Sequence, residues 1–185
     1  MARVLLFVMG AIAATLMASG SLRAEPLASG EGLKPGLAVC YMKAMVRHVD
    51  EIYRYDDDCE PGAPLKKLNF KTGKGKVLNS PWSDGVLAKI TGYIHFEQAG
   101  DYVFAFQSND GVRLRIDKRL VVQDPDVHKD RFSDLGTFSV KTPGWYPILI
   151  LYFERRNTST LKFYWQPPGD TAATMPLVPP EVLAH

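Results

Sequence analysis

Alternation of apolar and polar residues dominates the second half of the chain. Val112, Leu114 and Ile116 share one side of an extended segment, and Arg113 and Arg115 share the other. A period of two is typical of a β-strand with one dry face and one solvated face. The same pattern recurs over residues 90–96, 102–106 and 161–165. Residues 147–153 (PILILYF) are apolar without a break, which predicts a strand covered on both faces.

Turn-forming residues separate these segments, at QAGD (98–101), NDG (109–111), PG (143–144) and RNTS (156–159). Residues 37–45 read as a first strand, and residues 46–55 as a short helix or turn. Residues 56–62 (DDDCEPG) predict a loop, because like charges before a Pro-Gly pair fit poorly inside a packed element. Many short strands without a long amphipathic helix indicate an antiparallel sandwich or barrel.

The first 24 residues have the features of a secretory signal peptide. Arg3 precedes an apolar run at residues 4–17, and small residues follow before Ala24, the expected cleavage site. The apolar run is shorter than the ~20 residues of a membrane span, and a retained N-terminal anchor is the alternative. Residues 25–36 are predicted as a flexible leader, and residues 37–185 as a single domain. The expected location is secreted or periplasmic, with cell-surface association as a variant and no membrane span after cleavage.

The balance of basic and acidic residues bears on the class of partner. The chain has 22 basic and 20 acidic residues. Removal of the signal peptide takes away Arg3 and Arg23 and leaves 20 of each. A balanced chain is unlike a nucleic-acid binder, which shows a basic excess.

The chain has two cysteines, Cys40 and Cys59. An even count in an exported protein favours a disulfide between them, and two free buried thiols are the alternative. Neither a histidine cluster nor a CxxC motif accompanies them, which argues against a zinc site.

Four short motifs follow one another at characteristic spacing. They are GDYVF (100–104), SNDG (108–111), GWYP (144–147) and LKFYW (161–165). In this order the chain resembles the PA14 domain family from about residue 37 to the C-terminus. The resemblance implies an all-β fold, an antiparallel β-sandwich of jelly-roll type. It also implies an exported or cell-surface module that usually binds carbohydrate.

The resemblance singles out one pair of residues. In lectin-like members, two consecutive acidic residues at this turn hold a calcium ion through a cis peptide, and the ion ligates sugar hydroxyls. The corresponding residues here are Asn109 and Asp110. An amide in place of a carboxylate keeps an oxygen donor but loses a charge, which lowers the expected affinity for calcium.

The same tetrad has a purely structural interpretation. Asn and Asp hydrogen-bond the local backbone and accept left-handed φ, and Gly tolerates positive φ. Asn-Asp-Gly between two alternating segments predicts a β-hairpin. A turn alone and a calcium-assisted ligand site stay open as alternatives.

Calcium takes six to eight oxygen ligands, so further donors would be needed. Asp124 is a candidate metal ligand from the loop at 124–126. Asp84, in SDG (83–85), is a separate candidate ligand-binding residue. Trp82, in the loop SPWSDG (80–85), is the best candidate for a sugar platform, since sugar ring faces pack on aromatic faces. His128 is interpreted as a loop histidine because no second histidine is near.

Catalytic motifs such as G-x-S-x-G, H-E-x-x-H and the P-loop do not occur in the sequence. A non-catalytic binding module is therefore the first hypothesis, with a cell-surface or extracellular glycan as partner and calcium as a candidate cofactor. The alternative is an envelope protein-interaction or structural subunit that binds no sugar. A small hydrolase with two carboxylates in a cleft is the third reading.

Overall fold

The computed structural model describes residues 26–185, and the predicted signal peptide, residues 1–24, lies outside them. The described residues form twelve strands of 2 to 11 residues and two 3-10 helices, at Val49–Asp58 and Pro180–Val182. The strands are β1 (Leu37–Lys43), β2 (Glu60–Leu65), β3 (Asn69–Thr72), β4 (Val86–Phe96), β5 (Gly100–Asn109), β6 (Val112–Ile116), β7 (Arg119–Asp124), β8 (Arg131–Phe132), β9 (Gly136–Val140), β10 (Gly144–Glu154), β11 (Ser159–Gln166) and β12 (Leu183–Ala184).

The strands form two antiparallel sheets. One sheet has seven strands in the order β2-β1-β4-β10-β6-β7, with β12 also paired to β4. The other has five strands in the order β3-β11-β5-β8, with β9 also paired to β5. The antiparallel sandwich predicted from the alternation is confirmed, and its jelly-roll type stays a prediction.

The main core lies between the two sheets, as the alternation requires. Phe104, Phe106 and Phe163 come from the five-stranded sheet, and the Phe106 and Phe163 rings stack with centroids 4.6 Å apart. Leu114 and Ile150 face them from the seven-stranded sheet. Burial of this apolar surface is the main favourable term in folding.

A smaller core lies on the other side of the seven-stranded sheet. Leu151 and Phe153 of β10 pack there against Val49 and Ile52 of the longer 3-10 helix. This arrangement confirms that residues 147–153 form a strand covered on both faces. The loop predicted at residues 56–62 is wrong, because the helix continues through Asp58 and β2 begins at Glu60. The three aspartates at 56–58 are exposed, so their charges stay solvated within the helical turn.

The predicted hairpin at Asn109-Asp110-Gly111 is also wrong. Here the chain passes from β5 in one sheet to β6 in the other. Asp110 N donates to Phe153 O and Phe153 N donates to Gly111 O, so the chain joins β10 as it crosses. A Cβ at Gly111 would lie 2.5 Å from the Phe153 ring and 2.7 Å from the Pro125 carbonyl oxygen. The close crossing therefore requires glycine at this position.

The predicted disulfide is present. It joins Cys40 in β1 to Cys59, which directly follows the longer 3-10 helix, across a separation of 19 residues. The bond therefore ties both ends of the segment containing that helix to the sheet.

The described part of the predicted leader is paired with the body. Leu27 exchanges two main-chain hydrogen bonds with Trp145, and Lys34 exchanges two with His185. The sequence predicts a flexible segment here, because partners more than 100 residues away leave no local pattern. Among the described residues, no helix is long and apolar enough to cross a membrane.

Candidate functional site

Three connections between the two sheets meet at one end of the sandwich. They are Asn109–Gly111 between β5 and β6, residues 125–130 between β7 and β8, and residues 155–158 between β10 and β11. Together they enclose an open cavity of about 390 Å³. The cavity is lined by Asn109, Asp110, Val127, His128, Lys129, Arg156, Asn157 and Thr158.

Asp110 ties the three connections together. Its side chain is buried, with 4% of the residue exposed. Oδ1 accepts a hydrogen bond from His128 N at 3.1 Å, and Oδ2 accepts one from Arg155 N at 2.8 Å. The peptide bond between Asn109 and Asp110 is cis. The carboxylate therefore holds the two neighbouring connections against its own.

Opposing effects act on the ionisation of Asp110. Burial raises the pKa of its carboxyl group above the ordinary value, and the hydrogen bonds from Arg155 N and His128 N partly offset that rise. The carboxylate form is the one that accepts both amide hydrogens at once.

Asn109 is also buried and has a different set of partners. Its Nδ2 donates to Thr158 Oγ1 at 2.9 Å, and its main-chain oxygen accepts from the Tyr152 hydroxyl at 2.6 Å. Among the described residues, no donor bonds to its side-chain oxygen. Asn109 therefore supplies the cavity with an oxygen acceptor.

The rim of the cavity is cationic. Lys129 and Arg156 are exposed, and neither forms an ion pair within residues 26–185. Asn157 and the Thr158 hydroxyl add neutral polar groups. A ligand that both donates and accepts hydrogen bonds, as a sugar does, matches this mixture.

The structure places the three remaining candidates from the sequence, Asp84, Trp82 and Asp124, in different surroundings. Asp84 does not line the cavity, and its Oδ1 accepts a hydrogen bond at 2.8 Å from the main-chain N of Asn157, which does. Trp82 packs against the main core and does not line the cavity. Asp124 is buried and its carboxylate bonds to the Arg131 guanidinium, with His128 Nε2 3.2 Å away. Its oxygens are therefore engaged within the protein.

The cavity offers few ligands for a metal ion. Within residues 26–185, no group of three or more His, Cys, Asp or Glu side chains is arranged to hold one. The pair Asn109 and Asp110 provides an amide oxygen and a carboxylate that already accepts two amide hydrogens. Any bound calcium would depend on main-chain oxygens, water or sugar hydroxyls for the rest of its coordination.

A second buried carboxyl group lies close to this site. Glu154 ends β10 and is completely buried, and neither of its carboxylate oxygens has a hydrogen-bond partner among the described residues. Burial, together with the negative charges of Asp84 and Asp110, raises the pKa of Glu154 from 4.5 to about 7.

Sequence reasoning missed most of the residues that line the cavity. Lys129, Arg156 and Thr158 are ordinary loop residues in the sequence, with no motif around them. The sequence offers only indirect evidence for them: RNTS (156–159) and NDG (109–111) are turn segments at the ends of neighbouring strands.

Replacement of Asp110 by asparagine is expected to lower the free energy of unfolding by about 2 kcal/mol, the cost of an unsatisfied buried polar group. The amide has one acceptor oxygen, so its NH₂ group would face the second main-chain donor. Urea unfolding measures the loss, and hydrogen exchange should accelerate at the amides of His128 and Arg155. The control is Asp126→Asn, an exposed change in the same connection. Equal stability of the two variants would contradict the role given to Asp110.

Comparison with known proteins points to one family. The profile of the PA14 domain matches residues 69–178. No curated protein matches the chain.

Solved structures of low identity share the fold. The PA14 sugar-binding domain of an RTX adhesin superposes with a TM-score of 0.66 at 16% identity, covering 82% of this chain and 98% of that one. The Epithelial Adhesin 6 A domain of Candida glabrata, solved with Galβ1-3GlcNAc, gives 0.62 at 13% identity, covering 86% and 92%. An anti-sigma factor domain-containing protein gives 0.65 at 18% identity; the match covers 81% of this chain and 48% of that one. This chain therefore spans about half the length of that protein.

Proposed function

Because the chain belongs to the PA14 domain family, whose profile covers more than half of it, we propose that it is an exported, non-catalytic module that binds carbohydrate. The ligand would lie in the cavity built by the three connections around Asn109 and Asp110.

One observation carries this proposal. Counting partners within residues 26–185 alone, the cavity collects an amide oxygen that accepts no hydrogen bond, a carboxylate, a hydroxyl and two cations without an ion pair at the meeting point of the connections. Sugar hydroxyls both donate and accept, so they can bond to the acceptors at the floor and to polar groups at the rim. The adhesin domain and the Candida domain that share the fold are described as sugar-binding and as bound to a disaccharide, respectively.

Calcium is part of the proposal as a weak auxiliary ligand. The side-chain oxygen of Asn109 and the remaining lone pairs of Asp110 would hold it, and the ion would attract sugar hydroxyl oxygens. The amide at position 109 and the cations Lys129 and Arg156 at the rim both lower the local affinity for a cation. Sugar binding in this chain is therefore expected to depend only partly on calcium.

Replacement of Asn109 by aspartate should raise the affinity for calcium by about tenfold or more, since ligand charge tunes calcium binding. The change is compatible with the site because the Thr158 hydroxyl, which now accepts from Asn109 Nδ2, can instead donate to a carboxylate. Calorimetric titration of chelator-treated protein with calcium measures the gain.

The matched control adds the same charge elsewhere in the cavity. Asn157→Asp places a carboxylate on the exposed lining. An equal gain in both variants, or no gain in Asn109→Asp, would show that calcium is not held by residues 109 and 110.

Glycan binding itself is tested by titrating a panel of glycans against the mature protein, with calcium and with chelator. Binding of at least one glycan class is expected, and Asn109→Ala should weaken it. Absence of binding to every class under both conditions would overturn the proposed function.

Export is supported by two observations. The predicted signal peptide would direct the chain out of the cytosol, and the disulfide between Cys40 and Cys59 is typical of an oxidising compartment. We therefore propose a secreted or periplasmic location, with cell-surface association where the glycan lies on a surface.

The geometry of Asp110 is also compatible with a second candidate function, in which this residue binds no ligand. Both of its carboxylate oxygens accept main-chain hydrogens, which is a sufficient structural reason for an acidic residue at this position. In that case the protein would be an envelope protein-interaction or structural subunit. Co-purification of a stable protein partner, unaffected by Asn109→Ala, would favour this candidate over glycan binding.

A further inference from the structure

An exposed aromatic surface lies on the outer face of the five-stranded sheet, next to the cavity. Alternation along β5 places Phe104 and Phe106 toward the core and Ala105, Gln107 and Asn109 on the opposite face. The outward residues of the neighbouring strands share this face, because paired residues of adjacent strands point the same way.

Two rings lie on this face. Phe132 of β8 pairs with Gln107, and Tyr164 of β11 pairs with Ala105. Their ring centroids are 5.4 Å apart and their planes are tilted by 51°. Ala105 lies between them and is only 3% exposed although it points outward, whereas Phe132 is 59% exposed. The two rings therefore form a ledge over Ala105 that is exposed at Phe132 and half-buried at Tyr164, and we call this pair the aromatic ledge.

Polar side chains surround the aromatic ledge. Gln107 pairs with Phe132 on one side and with Lys162 on the other, and Gln166 lies farther along β11. On the side of the cavity, the Asp130 carboxylate forms an ion pair with Lys71 at 3.0 Å. An exposed ring and a half-buried ring bordered by amides and charges match the two chemistries of a pyranose, whose C–H faces are apolar and whose hydroxyls are polar.

The aromatic ledge is continuous with the cavity. Gln107 and Asn109 are two residues apart on β5, which is about 7 Å along the strand. On the other side, β8 directly follows the connection that carries Lys129 at the cavity rim. A sugar chain with one residue in the cavity can therefore reach the ledge along a single sheet face.

We propose that Phe132 and Tyr164 form a second carbohydrate subsite, which stacks a further sugar ring of an oligosaccharide held in the cavity. This inference rests on the proposed function. In this proposal the cavity binds a single sugar unit, and the aromatic ledge makes the protein prefer longer oligosaccharides.

The test compares long and short ligands. Soluble galactan, xylan, mannan and β-glucan, together with their constituent monosaccharides, are titrated against wild type and Phe132→Ala. Wild type should bind at least one polysaccharide about tenfold or more tightly, per sugar, than the matching monosaccharide. Phe132→Ala should lose most of that gain and keep the monosaccharide affinity, and Phe132→Trp should keep the gain.

Leu135→Ala is the matched control, because Leu135 is another exposed apolar residue, at 67%, outside the ledge. The melting temperature of each variant shows whether the fold is intact. Unchanged polysaccharide binding in Phe132→Ala, an equal loss in Leu135→Ala, or no chain-length gain in wild type would each overturn the subsite. In all three cases monosaccharide binding would still support the cavity. Absence of binding to every polysaccharide and monosaccharide would remove the proposed function and the subsite together.

Discussion

Replacement of Glu154 by glutamine is expected to stabilise the protein above pH 7 by about 3 kcal/mol more than it does at pH 4. The change removes a carboxylate that is completely buried and has no hydrogen-bond partner among the described residues. Burying an unpaired charge is costly, so the folded protein favours the protonated form of this group.

The sign follows from the two states of the protein. In the unfolded chain Glu154 has its ordinary pKa of 4.5, and in the folded protein the pKa is about 7. Between these values the folded protein holds the proton more tightly, so the contribution of Glu154 to stability is fully present below pH 4.5 and is lost as the pH rises through 7. Glutamine does not titrate, and whatever constant cost its amide brings cancels in the comparison.

The measurement is urea unfolding of wild type and Glu154→Gln at pH values from 4 to 8, in chelator. The difference in the free energy of unfolding should rise between pH 4.5 and 7 and then level off. Glu181→Gln is the control, because Glu181 is an exposed glutamate on the shorter 3-10 helix. A pH-independent difference for Glu154→Gln would show that its carboxyl group does not titrate abnormally.

Removal of the disulfide, by Cys40→Ser together with Cys59→Ser, should lower the free energy of unfolding by about 3 kcal/mol. The bond closes a loop with a sequence separation of 19 residues, and the loss of that constraint gives the unfolded chain more conformations. The loop contains the longer 3-10 helix, whose Val49 and Ile52 cover the smaller core. That helix should therefore show the largest increase in hydrogen exchange.

Chemical reduction of wild type provides the matched experiment. Reductant should lower the urea midpoint of wild type toward that of the double variant and leave the double variant unchanged. An unchanged midpoint for reduced wild type would mean that the bond adds little to the stability of the fold.

Much of the fold follows from local sequence patterns and can therefore be predicted from the sequence. The alternation at residues 112–116 and the unbroken apolar run at 147–153 predict strands, because the side-chain direction in a strand depends only on position. The apolar run also predicts two covered faces, and the structure supplies a different core for each.

The sheet to which a strand belongs depends on distant parts of the chain, so the local sequence does not predict it. The residues Asn109-Asp110-Gly111 have the turn chemistry of a hairpin, but the same chemistry suits a crossing between sheets. Which one forms is decided by the partners of β5 and β6, and these lie elsewhere in the chain. The cavity forms only when these strands pair, so no local sequence motif marks Lys129 and Arg156 as lining residues.

Exposure of single aromatic residues is equally hard to read from the sequence. Trp82 lies in a polar loop, which predicts an exposed sugar platform. In the structure the loop folds back on itself through the hydrogen bond from Val77 N to Trp82 O, and the side chain packs on the core. Phe132, in a similar polar setting, is exposed. The difference comes from the neighbouring strands and not from the flanking residues.

The pairing of Leu27 with Trp145 and of Lys34 with His185 has a practical consequence for immobilisation. Trp145 is the second residue of β10 and Glu154 is its last, so these pairings lie about 30 Å from the cavity along one strand. A purification tag or surface linker joined before Pro26 or after His185 would leave the sandwich at the pole opposite the cavity. Biosensor measurements with either attachment should therefore present an unobstructed cavity to soluble glycans.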